Sequence, residues 1–282
     1  MLGIDEFEIY QNNNTKTLHS NYVYRYALPF EKVQDKVGWT FFFQKYWYHS
    51  ITISLFYYLF VCILQRLMRY REPFQLKIPL IIWNFMLTTF SFIGLIRFSE
   101  DFLYNLEHHG LVFSLCHSCN PDSVAAFWSL MFAFSKIIEF GDTLFIVLRK
   151  RELIFLHYYH HAAVFVYTIH SGTEHTAPGQ AFISMKYLVH SVMYLYYLAK
   201  SSGLNVSRSI ALMVTCIQTA QMFLGVAVST LVLKLKLWDG YRCQQSWANL
   251  ILAFSIYVSF AILFSRFLND TYLKPWRKQK KE

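Results

Sequence analysis

The chain contains 282 residues, of which 55% are hydrophobic and only 15% are charged, and its formal net charge at pH 7 is +9. A soluble domain carries roughly 25% charged residues, so this composition excludes an ordinary soluble protein and is typical of an integral membrane protein. Membrane topology explains the excess of basic residues, and we therefore expect no nucleic-acid partner.

Seven segments approach or exceed the ~20 residues that a helix needs to cross the hydrocarbon core of a bilayer. In chain order they are 51–64 (extended upstream by residues 46–48), 78–96, 123–148, 153–169, 181–199, 210–233 and 247–268. They predict an all-α polytopic protein with seven transmembrane helices and no separate soluble domain.

The chain divides into three parts: a polar N-terminal arm over residues 1–37, a membrane domain over 38–270 and a basic tail over 271–282. The arm has no cleavable signal-peptide pattern, so we expect the first helix to act as an uncleaved signal anchor. Asn13 begins a glycosylation sequon in this arm. Lysines 278, 280 and 281 resemble a dilysine signal for return to the endoplasmic reticulum, although a basic tail also anchors to membrane surfaces.

Basic residues between the predicted helices are concentrated on one side of the membrane, as at Arg149, Lys150 and Arg151. By the positive-inside rule this side is cytosolic, which predicts a lumenal N-terminus and a cytosolic C-terminus.

Three of the five cysteines, Cys116, Cys119 and Cys243, lie in predicted lumenal loops, where disulfides form. A bridge between Cys116 and Cys243 would join two of these loops. Cys119 is the competing partner, and a redox or zinc site at Cys116-x-x-Cys119 is a further alternative.

A group of three histidines lies in the fourth apolar segment. Positions i, i+3 and i+4 share one face of a helix, so His157, His160 and His161 point the same way. Titratable groups in hydrocarbon are costly and indicate a functional site. The structural alternative is that these histidines cap a helix or form hydrogen bonds in a core.

Other helices carry polar stripes at similar spacing, and together they predict a polar chamber enclosed by helices. The residues are Lys136, Glu139, Asp142 and Thr143 on the third span, Lys186, His190, Tyr194 and Tyr197 on the fifth, and Thr215, Gln218 and Gln221 on the sixth. Amide and hydroxyl side chains also join helices by hydrogen bonds without any catalytic role.

Four motifs in this order resemble the very-long-chain fatty acid elongases, which are membrane 3-ketoacyl-CoA synthases. They are Lys136-x-x-Glu139-x-x-Asp142-Thr143, His157-x-x-His160-His161, His190-x-x-Met193-Tyr194-x-Tyr196-Tyr197 and Thr215-x-x-Gln218-x-x-Gln221. The resemblance runs from about residue 37 to the C-terminus. It is greatest to the branch that extends saturated and monounsaturated long-chain acyl-CoAs.

The resemblance implies seven helices, six of them around a central acyl-CoA chamber, and condensation of an acyl-CoA with malonyl-CoA. Neutral imidazole is both a nucleophile and a base near neutral pH. We expect His160 to accept the acyl group, His190 to take part in condensation, and His157 and His161 to orient the acceptor or bind the thioester oxygen.

Supporting roles follow for the remaining motif residues. Lys136, Glu139 and Asp142 would keep the chamber polar and brace the histidines, and Gln218 and Gln221 would stabilise the oxyanion. Tyr194 and Tyr197 complete the substrate-binding set. Arg149 and Lys150 would bind CoA phosphates, although positive-inside bias also explains them.

The resemblance implies no cofactor and no metal. The expected partners are acyl-CoA, malonyl-CoA and membrane lipid, together with the ketoacyl-CoA reductase, dehydratase and enoyl reductase of the elongation cycle. A second copy of the chain is another candidate partner. The implied location is the membrane of the endoplasmic reticulum.

Lys186 departs from the third family motif, which has asparagine at this position. A lysine here would either keep His190 neutral by repulsion or pair with Glu139 or Asp142. It also leaves open a pseudo-elongase that binds acyl-CoA without condensing it. A di-iron desaturase or hydroxylase is another alternative, although such enzymes need several histidine boxes and this chain has one. A transporter or receptor would not explain motifs clustered around imidazoles.

Overall fold

The structure is a computed structural model that describes residues 18–274, and this range contains ten α-helices and no β-strand. The helices are α1 (Lys36–Tyr46), α2 (His49–Met68), α3 (Lys77–His108), α4 (Gly110–Cys116), α5 (Val124–Ile138), α6 (Gly141–Leu148), α7 (Phe155–Thr173), α8 (Gly179–Ser202), α9 (Arg208–Leu237) and α10 (Trp247–Leu268). A π-helical turn, Asn269–Leu273, continues α10. Asn13 and lysines 278, 280 and 281 lie outside the described residues.

The predicted third span is not one continuous helix, and that part of the prediction is wrong. The chain forms α5 and α6, which are separated at Glu139 and Phe140. Here the backbone hydrogen bonds tighten: Phe140 donates to Ile137 and Asp142 donates to Glu139, each across three residues. Tight turns of this kind interrupt helices at functional positions, and this one lies inside the first polar motif.

Four helical segments in the described range are long and apolar enough to cross a membrane: His49–Met68, Lys77–His108, Arg208–Leu237 and Trp247–Leu273. This confirms the membrane character of the chain. The count of seven spans stays a prediction, because α5 and α6 have only 15 and 8 residues and because α7 and α8 carry polar side chains.

Two pairs of long helices pack closely because each has a glycine at the contact. A Cβ atom on Gly94 of α3 would lie 2.4 Å from the ring of Tyr187 on α8. A Cβ atom on Gly225 of α9 would lie 2.2 Å from the ring of Tyr257 on α10. In contrast, α2 packs on α6 and α7, and much of its surface is exposed.

At one end of the bundle, the chain before α1 packs against the ends of the helices. Ser20 donates to Asp101 on α3, and Glu31 accepts hydrogen bonds from Arg97 and from Trp128 on α5. Ser20 and Glu31 are buried, which the prediction of a simple polar arm missed.

A disulfide between Cys116 and Cys243 lies at the same end and connects α4 to the loop between α9 and α10. Cys119 is a free thiol. This pairing contradicts the alternative of a redox or zinc site at Cys116-x-x-Cys119.

The loops that contain the predicted cytosolic charges gather at the opposite end. Lys150 donates to the carbonyl oxygens of Arg69 and Arg71, which connects the α6–α7 loop to the α2–α3 loop. Arg208 at the start of α9 donates to the carbonyl oxygen of Thr271. These contacts join the α6–α7 loop to the α2–α3 loop and the start of α9 to the turn after α10, and the cytosolic assignment of this end stays a prediction.

Candidate active site

A cavity of about 610 Å³ lies between α3, α6, α7, α8, α9 and α10. It brings together most of the residues singled out in the sequence. They are His157, His160, His161, His190, Asp142, Arg149, Tyr194, Tyr197, Gln218 and Gln221. Lys136 and Glu139 do not line it. We call this space the polar chamber.

The three histidines of α7 form one face, as their spacing predicts. The ring centroids of His157 and His161 are 4.5 Å apart, and those of His160 and His161 are 5.6 Å apart. The Nε2 atom of His157 lies 3.0 Å from the hydroxyl of Thr143, which is itself 2.6 Å from the hydroxyl of Tyr57. These contacts hold the His157 ring in one orientation.

His190 projects into the chamber from α8 and has a carboxylate behind it. Its Nδ1 atom lies 3.6 Å from the Oε1 atom of Glu139. The same oxygen accepts hydrogen bonds from Lys136 Nζ at 2.5 Å and from Ser135 Oγ at 3.1 Å. The break between α5 and α6 thus places a buried ion pair against a chamber histidine, although Lys136 and Glu139 are too deep to touch a ligand directly.

Asp142 and Tyr194 form a second polar contact in the chamber wall. The Tyr194 hydroxyl donates to Asp142 Oδ2 at 2.7 Å, and Trp83 Nε1 donates to Oδ1 at 2.6 Å. Because each of its two oxygens accepts a hydrogen bond from the protein, the Asp142 carboxylate is held in place in the chamber wall. The ring of Tyr197 lies 6.3 Å from that of Tyr194 and continues the wall.

The two glutamines of α9 differ in their contacts. The Gln218 amide nitrogen lies 3.0 Å from the Met193 sulfur. Gln221 is 2% exposed, and neither atom of its amide has a hydrogen-bond partner among the described residues. Buried amides are normally satisfied, so a chamber-lining amide without a protein partner is suited to a bound ligand.

A second cavity, of about 160 Å³, is narrower and mainly apolar, and we call it the apolar cavity. Its wall includes Trp39, Phe43, Phe132, Phe182, Tyr257 and Phe260. It reaches His175 in the loop between α7 and α8, where burial lowers the pKa of the imidazole to about 4. His175 is therefore neutral at pH 7.

Comparison with known proteins identifies the family. Residues 42–280 match the ELO family, described as the GNS1/SUR4 family. The chain belongs to this family of fatty acid elongases. It is 51% identical over 278 residues to "Putative fatty acid elongase 4" of Caenorhabditis elegans, covering 99% of this chain and 95% of that protein.

Two other elongases extend the comparison. "Very long chain fatty acid elongase 6" of Drosophila melanogaster is 43% identical over 214 residues, which is 75% of this chain and 68% of that protein. "Very long chain fatty acid elongase 3" of Homo sapiens is 37% identical over 241 residues, which is 85% of this chain and 88% of that protein. The recognition of an elongase from its four motifs is therefore confirmed.

Lys186, which departs from the elongase motif, contacts a histidine rather than a carboxylate. Its Nζ atom lies 3.0 Å from Nε2 of His160. Of the two alternatives for Lys186, pairing with Glu139 or Asp142 is not observed: Lys136 contacts Glu139, and Trp83 and Tyr194 donate to Asp142. The alternative in which Lys186 keeps His190 neutral stays a prediction.

The chamber mouth is basic, but not through every residue predicted. Arg149, Arg151 and Lys200 line the chamber. Lys150 does not, because its ammonium group donates to two carbonyl oxygens of the α2–α3 loop. The structure therefore does not bring Lys150 into the chamber wall with Arg149, Arg151 and Lys200.

Several aromatic residues at the site carry no sequence signal that separates them from other membrane aromatics. Trp83 donates a hydrogen bond to Asp142, and the Tyr57 hydroxyl contacts that of Thr143. The His160 ring packs against Phe260 and Phe264, with ring centroids 4.9 Å and 6.0 Å away.

Within residues 18–274, no group of three His, Cys, Asp or Glu side chains is arranged to hold a metal ion. No observation therefore favours the di-iron alternative.

Proposed function

We propose that this elongase-family protein condenses a long-chain acyl-CoA with malonyl-CoA to form 3-ketoacyl-CoA, CoA and carbon dioxide. The observation that carries the proposal is the position of His160 and His190. These imidazoles, from two different helices, line one chamber that has a basic mouth and that meets an apolar cavity. A thioester with a charged carrier and a hydrophobic chain needs both environments.

The proposed reaction has two steps. In the first, a ring nitrogen of His160 attacks the thioester carbonyl carbon, the carbon–sulfur bond breaks and CoA leaves as the thiol after protonation. In the second, malonyl-CoA loses carbon dioxide, and its C2 carbon bonds to the acyl carbon while the bond to His160 breaks. Imidazole suits this role because it is both a competent nucleophile and a good leaving group when acylated.

Other residues assist in this scheme. His190, oriented by Glu139, is the second histidine of condensation, and His157 and His161 position the acylated ring. The Gln221 amide, which has no hydrogen-bond partner in the described range, supports a role as donor to the carbonyl oxygen on which negative charge develops. Gln218, which also lines the chamber, would share that role when its amide leaves the Met193 sulfur.

In this proposal the acyl-CoA occupies both the polar chamber and the apolar cavity. Arg149, Arg151 and Lys200 at the mouth bind the CoA phosphates, because guanidinium and ammonium groups form charge-assisted hydrogen bonds to phosphate. The fatty chain enters the apolar cavity. This division is supported by the aromatic wall of the second cavity and by the polar wall of the first.

The proposed setting is the endoplasmic reticulum membrane, with seven spans, a lumenal N-terminus and a cytosolic C-terminus. Six spans surround the chamber, and α2 is peripheral, which is supported by the lack of any α2 residue (His49–Met68, all described) in either cavity wall. The reaction needs no cofactor. Its product is passed to a ketoacyl-CoA reductase, a dehydratase and an enoyl reductase, and a homodimer is compatible with the exposed apolar helix faces.

One observation favours a second candidate, a pseudo-elongase that binds acyl-CoA without condensing it. Lys186 replaces the family asparagine and contacts Nε2 of His160, a nitrogen that would otherwise be open to the substrate. The fold and the remaining motif residues would then be retained for binding alone.

A condensation assay separates these candidates. Purified protein in detergent is incubated with labelled malonyl-CoA and a panel of acyl-CoAs, beside His160→Ala and Lys186→Asn. We expect malonyl-dependent 3-ketoacyl-CoA that disappears in His160→Ala. An inactive wild type with an active Lys186→Asn variant would support the pseudo-elongase. Inactivity of all three as folded, monodisperse proteins would overturn the proposed function.

A further inference from the structure

Lys186 occupies a singular position between the two cavities. Of the residues in the described range, it alone lines both the polar chamber and the apolar cavity. It is 6% exposed, and no carboxylate of that range lies within ion-pair distance of it. A long-chain acyl-CoA with its carrier in one cavity and its chain in the other would place the thioester carbon beside this side chain.

The contact between Lys186 and His160 is that of a nucleophile and a base. Their Nζ and Nε2 atoms are 3.0 Å apart, within the range in which an activated nucleophile and its proton acceptor share a hydrogen bond. As a neutral amine, Lys186 donates one N–H to Nε2 and keeps its lone pair at the junction, so that once Nε2 carries an acyl group this lone pair lies beside the acyl carbon. Reacting groups held about 3 Å apart gain a large effective concentration.

We infer that Lys186 is a site of self-acylation, at which a long-chain acyl group from acyl-CoA becomes attached to Nζ as an amide. This inference rests on the proposed function, because it requires the acyl-CoA to bind across the two cavities. Nothing in the elongation chemistry itself calls for a lysine at this position.

The step balances without any further reactant. With the acyl group on Nε2 of His160, the lysine nitrogen attacks the acyl carbon, the carbon–nitrogen bond to Lys186 forms and the bond to His160 breaks. The proton lost from Nζ goes to the released Nε2. No group is oxidised or reduced, and the net change is one thioester and one amine converted to one amide and one thiol.

The consequence is a branch point at the acyl-enzyme. Malonyl-CoA carries the acyl group on to 3-ketoacyl-CoA, whereas in its absence the group passes to Lys186. An amide is far less reactive than an acyl-imidazole, so the transfer of the acyl group to Lys186 is not reversed. The acylated lysine fills the junction and stops further turnover, which makes activity depend on the supply of malonyl-CoA.

The test incubates wild-type protein with a long-chain acyl-CoA alone, and then measures intact mass and maps the modified peptide. Neutral hydroxylamine, which cleaves acyl-imidazoles and thioesters but not amides, is applied to the denatured protein before mapping. We expect a hydroxylamine-resistant mass increase approaching one acyl group per chain, located on Lys186. Condensation activity should fall in the same proportion, and malonyl-CoA added at the start should slow both changes.

The chain provides matched controls. Lys136 is also buried, but its Nζ is held by Glu139 and it lines neither cavity, so it should remain unmodified in the same peptide map. Lys186→Asn should form no amide. Its condensation rate, whatever its starting value, should not fall during incubation with acyl-CoA alone. Lys186→Arg retains a cation without a reactive amine and should likewise remain unmodified.

The outcomes separate this inference from the proposed function. Condensation by wild type with unmodified Lys186 after prolonged exposure to acyl-CoA alone would overturn self-acylation and leave the elongase function standing. Amide at Lys186 without condensation by wild type or Lys186→Asn would support self-acylation and overturn the elongase function. Neither amide nor condensation in folded wild type and Lys186→Asn would overturn both.

Discussion

The Nδ1 atom of His190 lies 3.6 Å from the Oε1 atom of Glu139, across the break that separates α5 from α6. Since Glu139 is also bonded to Lys136 and Ser135, its carboxylate is fixed in place. A fixed negative charge on one side of an imidazole biases the tautomer and the ring orientation, and leaves the other nitrogen for chemistry. In this chain the charge comes from the first polar motif and the imidazole from the third.

The first prediction concerns this contact. Glu139→Gln keeps the size of the side chain but removes the charge that orients His190, so condensation should slow by roughly 10- to 100-fold with little change in KM. The same change leaves the Lys136 ammonium buried without its counter-ion, which costs about 3–5 kcal/mol of stability. Steady-state kinetics and thermal unfolding in detergent measure the two effects.

A double variant separates orientation from stability. Lys136→Met combined with Glu139→Gln removes the buried ammonium group that has lost its counter-ion. The melting temperature should therefore recover, while the condensation activity stays low. Recovery of activity together with stability would mean that Glu139 serves the fold and has no role in positioning His190.

The second prediction compares two neighbouring basic residues at the mouth. Arg151 lines the chamber, whereas Lys150 is bonded to the α2–α3 loop. Arg151→Gln should raise the KM for acyl-CoA by roughly 10-fold, because a charge-assisted hydrogen bond to phosphate is lost. It should also weaken the dependence of KM on salt.

Lys150→Gln is the control, with the same change of charge one residue away. Its KM should stay within about twofold of wild type, since surface charges outside a contact contribute little. Equal increases for the two variants would show that net charge at the mouth, rather than contact with the phosphates, controls binding.

The third prediction concerns helix packing. A methyl group on Gly225 would meet the Tyr257 ring at 2.2 Å, so Gly225→Ala should destabilise the protein by about 1–3 kcal/mol through overpacking of α9 against α10. Gly172 lies in α7 with open space at its Cβ position, and Gly172→Ala should be neutral or stabilising by up to about 1 kcal/mol. Thermal unfolding of both variants is the measurement, and equal destabilisation would contradict the packing argument.

The sequence predicts the motif faces well because helical periodicity is a local property. The spacing of His157, His160 and His161 is enough to place them together, and the structure does so. Periodicity could not predict the break at Glu139, which coincides with backbone hydrogen bonds across three residues and with the close approach of the Trp83 ring to Gly141. Nor could it show that Lys150 turns away from the chamber.

Contacts between distant segments were the least accessible to prediction. His160 and Lys186 are 26 residues apart, and Glu31 and Arg97 are 66 residues apart. A polar residue in an N-terminal arm is usually solvated, so Glu31 gave no sign that α3 and α5 would bury it. Such pairs follow from how the helices assemble, which a single sequence without an alignment does not specify.

The last prediction concerns this buried carboxylate, which anchors the N-terminal segment to the bundle. Glu31 is 1% exposed and accepts two hydrogen bonds from Arg97, at 2.6 and 2.9 Å, and one from Trp128 at 2.8 Å. The bonds from Arg97 hold the pKa of Glu31 down to about 2, from its ordinary value of 4.5. A carboxylate with a lowered pKa stabilises the folded state above its unfolded pKa, and this contribution disappears as pH falls from about 4.5 to about 2.

Glu31→Gln should therefore lower stability at pH 7 by about 3 kcal/mol, and its deficit relative to wild type should shrink as pH falls below 4.5. Melting temperatures of both proteins between pH 7 and pH 3 measure this. Glu100→Gln is the control, because Glu100 lies 3.7 Å from Arg97 and is one-third exposed, and its loss should cost less. A Glu31→Gln deficit that stays constant from pH 7 to pH 3 would show that the side chain contributes through its shape and neutral hydrogen bonds rather than through its charge.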